Sequence, residues 1–436
     1  MTPRPPILPP ALWSFPQPEV TVLDTGMAVW AYDLPGQLIC SCDLVLELPL
    51  NAEPEGLDGV GTIAVRALDE GTRAHPGTEF AKALEATGAQ FDGLAGMSTT
   101  QCLLDLPYDG LSEGLSLLAE AVSTPAYDEK DVNRIKANRL AEIEQQESRG
   151  SFQASTALRR ALLADRLRIS RPAGGSWDCV EAVRPSDVSA FHDARYCAEG
   201  ATLIIAGDLS GIDAPALAGQ AFGNWNPASV PVPAEPASPA GSMRRQLIHR
   251  EGAVQADVRL GWYGIDRHDP RWPGLQVAMA VMGGMFNSRL NTVLREERGY
   301  TYGVSMHCRP FRSGGVIDMA ASTRTSTAGD LIAEAVEILH AAPFTQDEVD
   351  QAIGYLTLSA PLSLDTAEAV ASQAATLAAA RLDVDYVTKS LAALRDVTPQ
   401  SAMEAFSELV APDEASIIVV ADSSEAGSLG LNLSER

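Results

Sequence analysis

A run of five prolines within residues 226–242, at the midpoint of a 436-residue chain, constrains this protein more than any other feature of its sequence. Proline lacks a backbone donor and has a fixed φ, so such a run neither joins a sheet nor continues a helix and is predicted to be a semi-rigid linker. A break placed midway prompts comparison of the two sides, and they match in order at three places. Pro125 and Tyr127, ahead of an acidic helix start, correspond to Pro343 and Phe344, the prolines lying 218 residues apart. Val183, Pro185 and Phe191 correspond to Val397, Pro399 and Phe406, and the apolar run 201–208 ending in Asp208 corresponds to 416–422 ending in Asp422; Pro185 and Asp208 each have their counterpart 214 residues on. Two homologous halves are therefore expected, residues 1–225 and 243–436, joined by the linker 226–242.

Apolar periodicity assigns the same elements to both sides. In the first half, alternation predicts strands at 38–50 and 98–106, and helices at 59–70, at 78–87 with Thr78 as its cap, and at 128–148. The second half repeats this with strands at 256–262, 302–308 and 315–321, a helix at 272–282 and further helices from 328 onward. Because strands and helices do not alternate strictly, the expected class is α+β, each half an antiparallel sheet packed with helices.

Charge narrows the function. The chain carries 32 Lys and Arg against 57 Asp and Glu, a net charge of −25. Such a surface repels phosphate backbones and anionic headgroups, which argues against nucleic acid and membrane partners. The six cysteines stand among apolar residues without the spacing of a disulfide scaffold, as in a reducing compartment. No signal-peptide pattern and no stretch of about 18 apolar residues is found, so a cytoplasmic location is expected.

The most specific stretch is 287–304. Within it Ser288-Arg289-Leu290 precedes Leu294-Arg295-Glu296-Glu297-Arg298-Gly299, and Tyr302 lies seven positions after Arg295. This resembles the second-half signature of the pitrilysin/insulinase metallopeptidases, which include the mitochondrial processing peptidase subunits. The resemblance implies a clamshell of two related halves in which Arg295 and Tyr302 bind peptide substrate. The chemistry suits that role, since a guanidinium and a phenol both donate to a peptide carbonyl or to the oxyanion it becomes. Arg298 and Tyr300, close by, are ranked as structural.

Active members of that family carry an inverted zinc motif, HxxEH, ahead of a Gly-Thr turn. Counting back from Gly71-Thr72 places Thr62 and Arg66 at the two histidine positions and Val65 at the glutamate position; Glu142 falls near the place of the distant third ligand. A threonine hydroxyl is a poor zinc ligand and an arginine cation repels the metal. The six histidines are His75, His192, His249, His268, His307 and His340, so no helix can present two of them at i and i+4. The degenerate motif implies a chain without catalytic zinc of its own and without catalytic residues in isolation.

Weaker motifs add little. Residues 110–114 fit GxSxG, but Pro107-Tyr108-Asp109 separates them from the preceding strand, and Asp109 or Ser112 serves better as a helix cap. Cys40 and Cys42 share a strand face with no second pair to complete a metal site. No phosphate-binding loop or dinucleotide fingerprint is present. The resemblance therefore implies the non-catalytic, substrate-binding subunit of a zinc-dependent peptidase. Its partner would be a homologous HxxEH-bearing subunit that carries the zinc, its substrates would be peptides, and a homodimer is possible in isolation. A stand-alone peptide-binding pseudoenzyme and a structural core subunit of a complex are the alternatives.

Overall fold

The computed structural model describes residues 13–164, 167–225, 241, 244–340 and 343–424, with the backbone of 434 and 435. The linker expected at 226–242 lies, but for Gly241, outside the described residues. The first half runs β1 (Glu19–Val22), β2 (Ala28–Asp33), β3 (Ile39–Leu46), α1 (Val60–Arg66), α2 (Thr78–Thr87), β4 (Gln90–Ala95), β5 (Thr100–Pro107) and α3 (Leu111–Ser123). It continues through α4 (Glu129–Glu147), α5 (Gly150–Leu162), α6 (Trp177–Ala182), α7 (Pro185–Arg195), β6 (Thr202–Gly207) and α8 (Ala214–Phe222). The second half runs β7 (Arg245–His249), β8 (Gln255–Gly264), α9 (Trp272–Met279), β9 (Thr301–Phe311), β10 (Gly314–Arg324) and α10 (Ala328–Leu339). It ends with α11 (Gln346–Ser363), α12 (Ala367–Ala380), α13 (Tyr386–Arg395), α14 (Pro399–Leu409), β11 (Ser416–Ala421) and β12 (Ser434–Glu435).

Each half builds one sheet, and corresponding strands take corresponding places: β1-β2-β6-β3-β5-β4 and β12-β7-β11-β8-β10-β9. The α+β expectation holds, with one correction. The sheets are mixed rather than wholly antiparallel, because β2 runs parallel to β6 and β7 to β11. The chain between the members of each pair runs through three other strands of the same sheet and several helices, far longer than the dozen or so residues a parallel pair requires. A second correction concerns Thr78, which is the first residue of α2; Gly77 holds the cap position at φ +55°, a conformation strained for threonine.

The central strands explain why 201–208 and 416–422 read as unbroken apolar runs. In β6, Leu203 and Ile205 face the helices of their own half, while Ile204 and Ala206 face the other way, into a core shared with the second half. In β11, Ile417, Val419 and Ala421 point inward and Ile418 and Val420 point to the opposite face. A strand buried on both faces has no polar alternation.

What covers those second faces is a helix from the other half. Ala154, Leu158 and Leu162 of α5 pack on Ile418 and Val420, and Gly261 of β8 lets Leu158 approach so closely that a Cβ there would lie 2.8 Å from both its methyl groups. Reciprocally, the alanine-rich α12 joins the cluster that holds Tyr32, Val45, Ile204 and Ala206 of the first sheet. The halves thus exchange one helix each. Polar contacts add to this junction: Arg312, in the β9–β10 hairpin, donates to both oxygens of Glu47 at 2.7 and 3.0 Å, and Arg381 donates to the same carboxylate at 3.0 Å.

Candidate functional site

Helix α1 is seated before it is functional. Gly59 begins it at φ +99°, packed so tightly that a Cβ would sit 2.8 Å from the Gly174 carbonyl oxygen. Its first amides are satisfied by a buried carboxylate: Glu53 accepts from Gly59 N at 3.2 Å and Gly61 N at 2.9 Å, and from Arg168 Nε at 2.5 Å. An anion at a helix N-terminus is favoured by the helix dipole. Burial nevertheless raises the Glu53 pKa, against the lowering effects of Arg168 and the two amides. Nothing in the local pattern of 59–72 signals this cap, which comes from a loop and is completed by an arginine 115 residues away.

The four degenerate positions separate. Val65 turns into the core, fully buried, against Gly93 of β4. Thr62 and Arg66, one helical turn apart, line a common pocket, where Thr62 Oγ1 donates a long 3.4 Å bond to the Ala173 carbonyl. Arg66 Nη1 lies 2.9 Å from both oxygens of Glu142, on the neighbouring α4, and Arg139 Nη1 lies 2.9 Å from one of them. Partial desolvation pushes the Glu142 carboxyl up, but the hydrogen bonds and charges of Arg66 and Arg139 outweigh it and hold the group below its ordinary pKa.

This arrangement does not fit zinc. Glu142 is the only one of the four side chains with a good ligand atom, and that carboxylate is already bound by two guanidinium ions. The position that would donate a second ligand is itself one of those cations. Among the described residues, no group of three or more His, Cys, Asp or Glu is placed to hold a metal. The pocket that remains, about 310 Å³, is lined by Arg66, Arg139 and Arg159, by Gly93, Leu94 and Ala95 of the sheet edge, and by the hydroxyls of Thr62, Ser155 and Thr156.

Arg295 and Tyr302 lie elsewhere in the molecule and line none of this pocket. Arg295 stands on a π-helical segment, Asn291–Glu297, stacked over the Phe286 ring at 3.7 Å. Its Nη2 donates to the Phe286 carbonyl at 3.2 Å and to Glu296 at 2.7 Å. Tyr302 projects from the start of β9, 96% exposed, and no hydrogen bond joins it to Arg295 among the described residues. Phe286 is itself 77% exposed, and Tyr302 stands on β9, an edge strand of its sheet.

Asn291 ties the segment that carries Arg295 to β9 and was not singled out by the sequence pattern. Buried, it accepts from Val304 N at 2.9 Å and donates to Val304 O at 2.9 Å, pairing with β9 as a neighbouring strand would. Its Nδ2 also lies 3.0 Å from Ser288 Oγ. The legible signal was a polar residue inside the apolar spacing of Leu290 and Leu294, both fully buried. Arg298 makes a two-point ion pair with Glu334 at 2.6–2.9 Å and Tyr300 packs against the core, both structural placements.

The weaker motifs resolve as packing. Gly110, not Asp109 or Ser112, occupies the cap position of α3, because Asp109 is taken up in a preceding turn of 3-10 helix. Ser112 is exposed. Cys40 and Cys42 are fully buried, with burial pushing the Cys40 thiol up to about 11, which makes it inert.

Comparison with known proteins agrees with this picture. Residues 182–356 match the family model described as the peptidase M16 inactive domain. An uncharacterized zinc protease of Streptomyces coelicolor is 24% identical over 79% of this chain and 77% of its own length. A non-peptidase homolog of Helicobacter pylori, YmxG, is 23% identical over 71% of this chain and 72% of its own. Among solved structures, a peptidase M16 inactive domain from Pseudomonas fluorescens superposes with a TM-score of 0.85 at 23% identity, covering 93% of this chain and 97% of that one. A protease from Helicobacter pylori does so with a TM-score of 0.82 at 16% identity, covering 93% and 99%. The resemblance carried by the 287–304 signature is thereby borne out: this chain is similar to proteins of the M16, pitrilysin/insulinase type, and its residues 182–356 match their inactive domain.

Proposed function

We propose that this chain is the substrate-binding, non-catalytic subunit of a two-chain zinc peptidase, paired with a homologous HxxEH-bearing subunit. One observation carries the reading. Arg295, stacked on the exposed Phe286, and the exposed Tyr302 do not line the pocket around Thr62 and Arg66, and Tyr302 stands on an edge strand where another chain can meet it. A guanidinium held by stacking and a fully exposed phenol supply donors for a peptide carbonyl and for the charge that develops on it. The edge strands β4 and β9, at corresponding ends of the two sheets, also offer unpaired backbone groups to an extended peptide. Metal and water activation would belong to the partner.

The test is reconstitution. The purified chain alone is expected to show no peptidase activity, the mixture with its HxxEH-bearing homologue to cleave peptides, and Arg295→Ala to abolish most of that cleavage without preventing association. Full activity of the mixture with Arg295→Ala and Tyr302→Phe combined would remove the pair from the substrate site.

A further inference from the structure

Where zinc ligands would be needed, the chain has instead assembled positive charge, and that disagreement has its own chemistry. Three arginines line the pocket over α1 in a protein whose net charge is −25. Glu142 neutralises Arg66 and Arg139 in part. Arg159, on α5, has no side-chain hydrogen bond or ion pair among the described residues. Its neighbours are already committed: Arg168 is bound to Glu53, and Asp318, the nearby carboxylate, is bound to Arg309. Arg159 reaches both this pocket and the adjoining one lined by Arg309 and Phe311. Burial, then repulsion from Arg309 and Arg168, lowers its pKa, yet a guanidinium does not deprotonate in a protein. A half-buried cation with no side-chain partner is costly, and an anion entering the pocket would relieve that cost.

We infer that this pocket is a receptor for a carboxylate of the bound peptide, with Arg159 as its principal contact and the hydroxyls of Ser155 and Thr156 beside it. The walls favour a carboxylate: Leu94 and Gly93 of the β4 edge give it one apolar, backbone-bearing side, and the volume of about 310 Å³ suits a side chain or chain end rather than a large polyanion. The carboxylate has two sources, an acidic side chain within the peptide or its free C-terminus. The inference rests on the peptide-binding reading above.

Four fluorescent decapeptides of otherwise identical neutral sequence separate these cases: a central Glu or its Gln isostere, each with a free or an amidated C-terminus. Their affinities for the full chain are measured by anisotropy at low salt. Long-range repulsion from the acidic surface works against every carboxylate, so a preference for one reports the local pocket. A charge-assisted contact is expected to give about a tenfold tighter Kd for the Glu peptides, the free-acid peptides, or both, over the fully neutral one, and the favoured arm identifies the source. Arg159→Gln should erase the preference while neutral-peptide affinity stays the same, and Arg159→Lys should retain most of it. Equal binding of all four peptides by the unaltered chain, or a preference that survives Arg159→Gln, overturns the carboxylate pocket alone. No binding of any peptide overturns both this inference and the reading on which it rests.

Discussion

Arg312 of the second half grips Glu47 of the first through both carboxylate oxygens, at 2.7 and 3.0 Å, with Arg312 only 14% and Glu47 27% exposed. The same guanidinium donates to the Ala379 carbonyl of α12, the helix lent to the first sheet. One side chain therefore ties a hairpin, a borrowed helix and a strand end, and the relation of the two halves depends on it.

Glu47→Gln should consequently cost more than an exposed pair would. Two guanidinium groups, those of Arg312 and Arg381, lose their common counter-charge at once. A loss of about 1–3 kcal/mol in urea unfolding is expected, against well under 1 kcal/mol for the surface pair Lys389–Asp385. An unchanged midpoint would show that the packing of α12 alone sets the junction.

Exchange of α5 and α12 makes a second prediction. A chain cut by an inserted protease site within 231–236 should stay together as a non-covalent pair and elute as one species, because each half completes the other's sheet face. Separation under native conditions would mean that 1–225 and 243–436 are self-sufficient units. Within this junction Leu158→Ala, opposite Gly261, should destabilise the cut and the intact chain alike by roughly 2–5 kcal/mol.

Asp43 supplies a pH dependence. Fully buried on β3, with Oδ1 lacking a hydrogen-bond partner, it has its pKa raised to about 7 by burial first and by Asp105 second. The folded state then holds a proton that the unfolded chain has lost between about pH 4 and 7, so stability from this group is complete below pH 4 and falls as pH rises through 7. At roughly 1.4 kcal/mol per unit, the loss across that window is of the order of a few kcal/mol. Asp43→Asn should flatten the fall between about pH 4 and 7 and leave the variant more stable than the parent at pH 8. A parallel pH profile in both proteins would place the titration elsewhere.

These residues also show what a sequence reveals of its fold. The doubled architecture was legible because β6 and β11 must be apolar on both faces, and because turn residues such as Pro125 and Pro343 must sit where helices begin. Helix α5 was not legible: its Ala154, Leu158 and Leu162 form a stripe whose counterpart, Ile418 and Val420, is more than 250 residues away. At the site, the poor zinc-ligand chemistry of Thr62 and Arg66 could be read by residue type alone. Their companions could not, since Glu53, Arg139 and Arg159 are ordinary charges until the fold sets them around α1.

The degenerate motif can be tested by rebuilding it. Thr62 and Arg66 lie one turn apart on the pocket face of α1, and Arg66 already reaches Glu142 at 2.9 Å, so two histidines there would face a carboxylate. Thr62→His with Arg66→His should bind one zinc per chain by elemental analysis and calorimetry, more weakly while Arg139 still competes for Glu142 and more tightly with Arg139→Gln added. Arg66→His alone should bind none. Peptide hydrolysis should not return with the metal, because Val65, at the glutamate position, points into the core against Gly93 rather than into the pocket. Val65→Glu would bury a carboxylate there at a cost of several kcal/mol, about the size of an unpaired buried charge, before it could act as a base. Zinc bound without cleavage would show that the seating of α1, with Val65 in the core, withholds a base even when ligands are supplied; cleavage by the double-histidine variant would show that water can be activated without a glutamate at position 65.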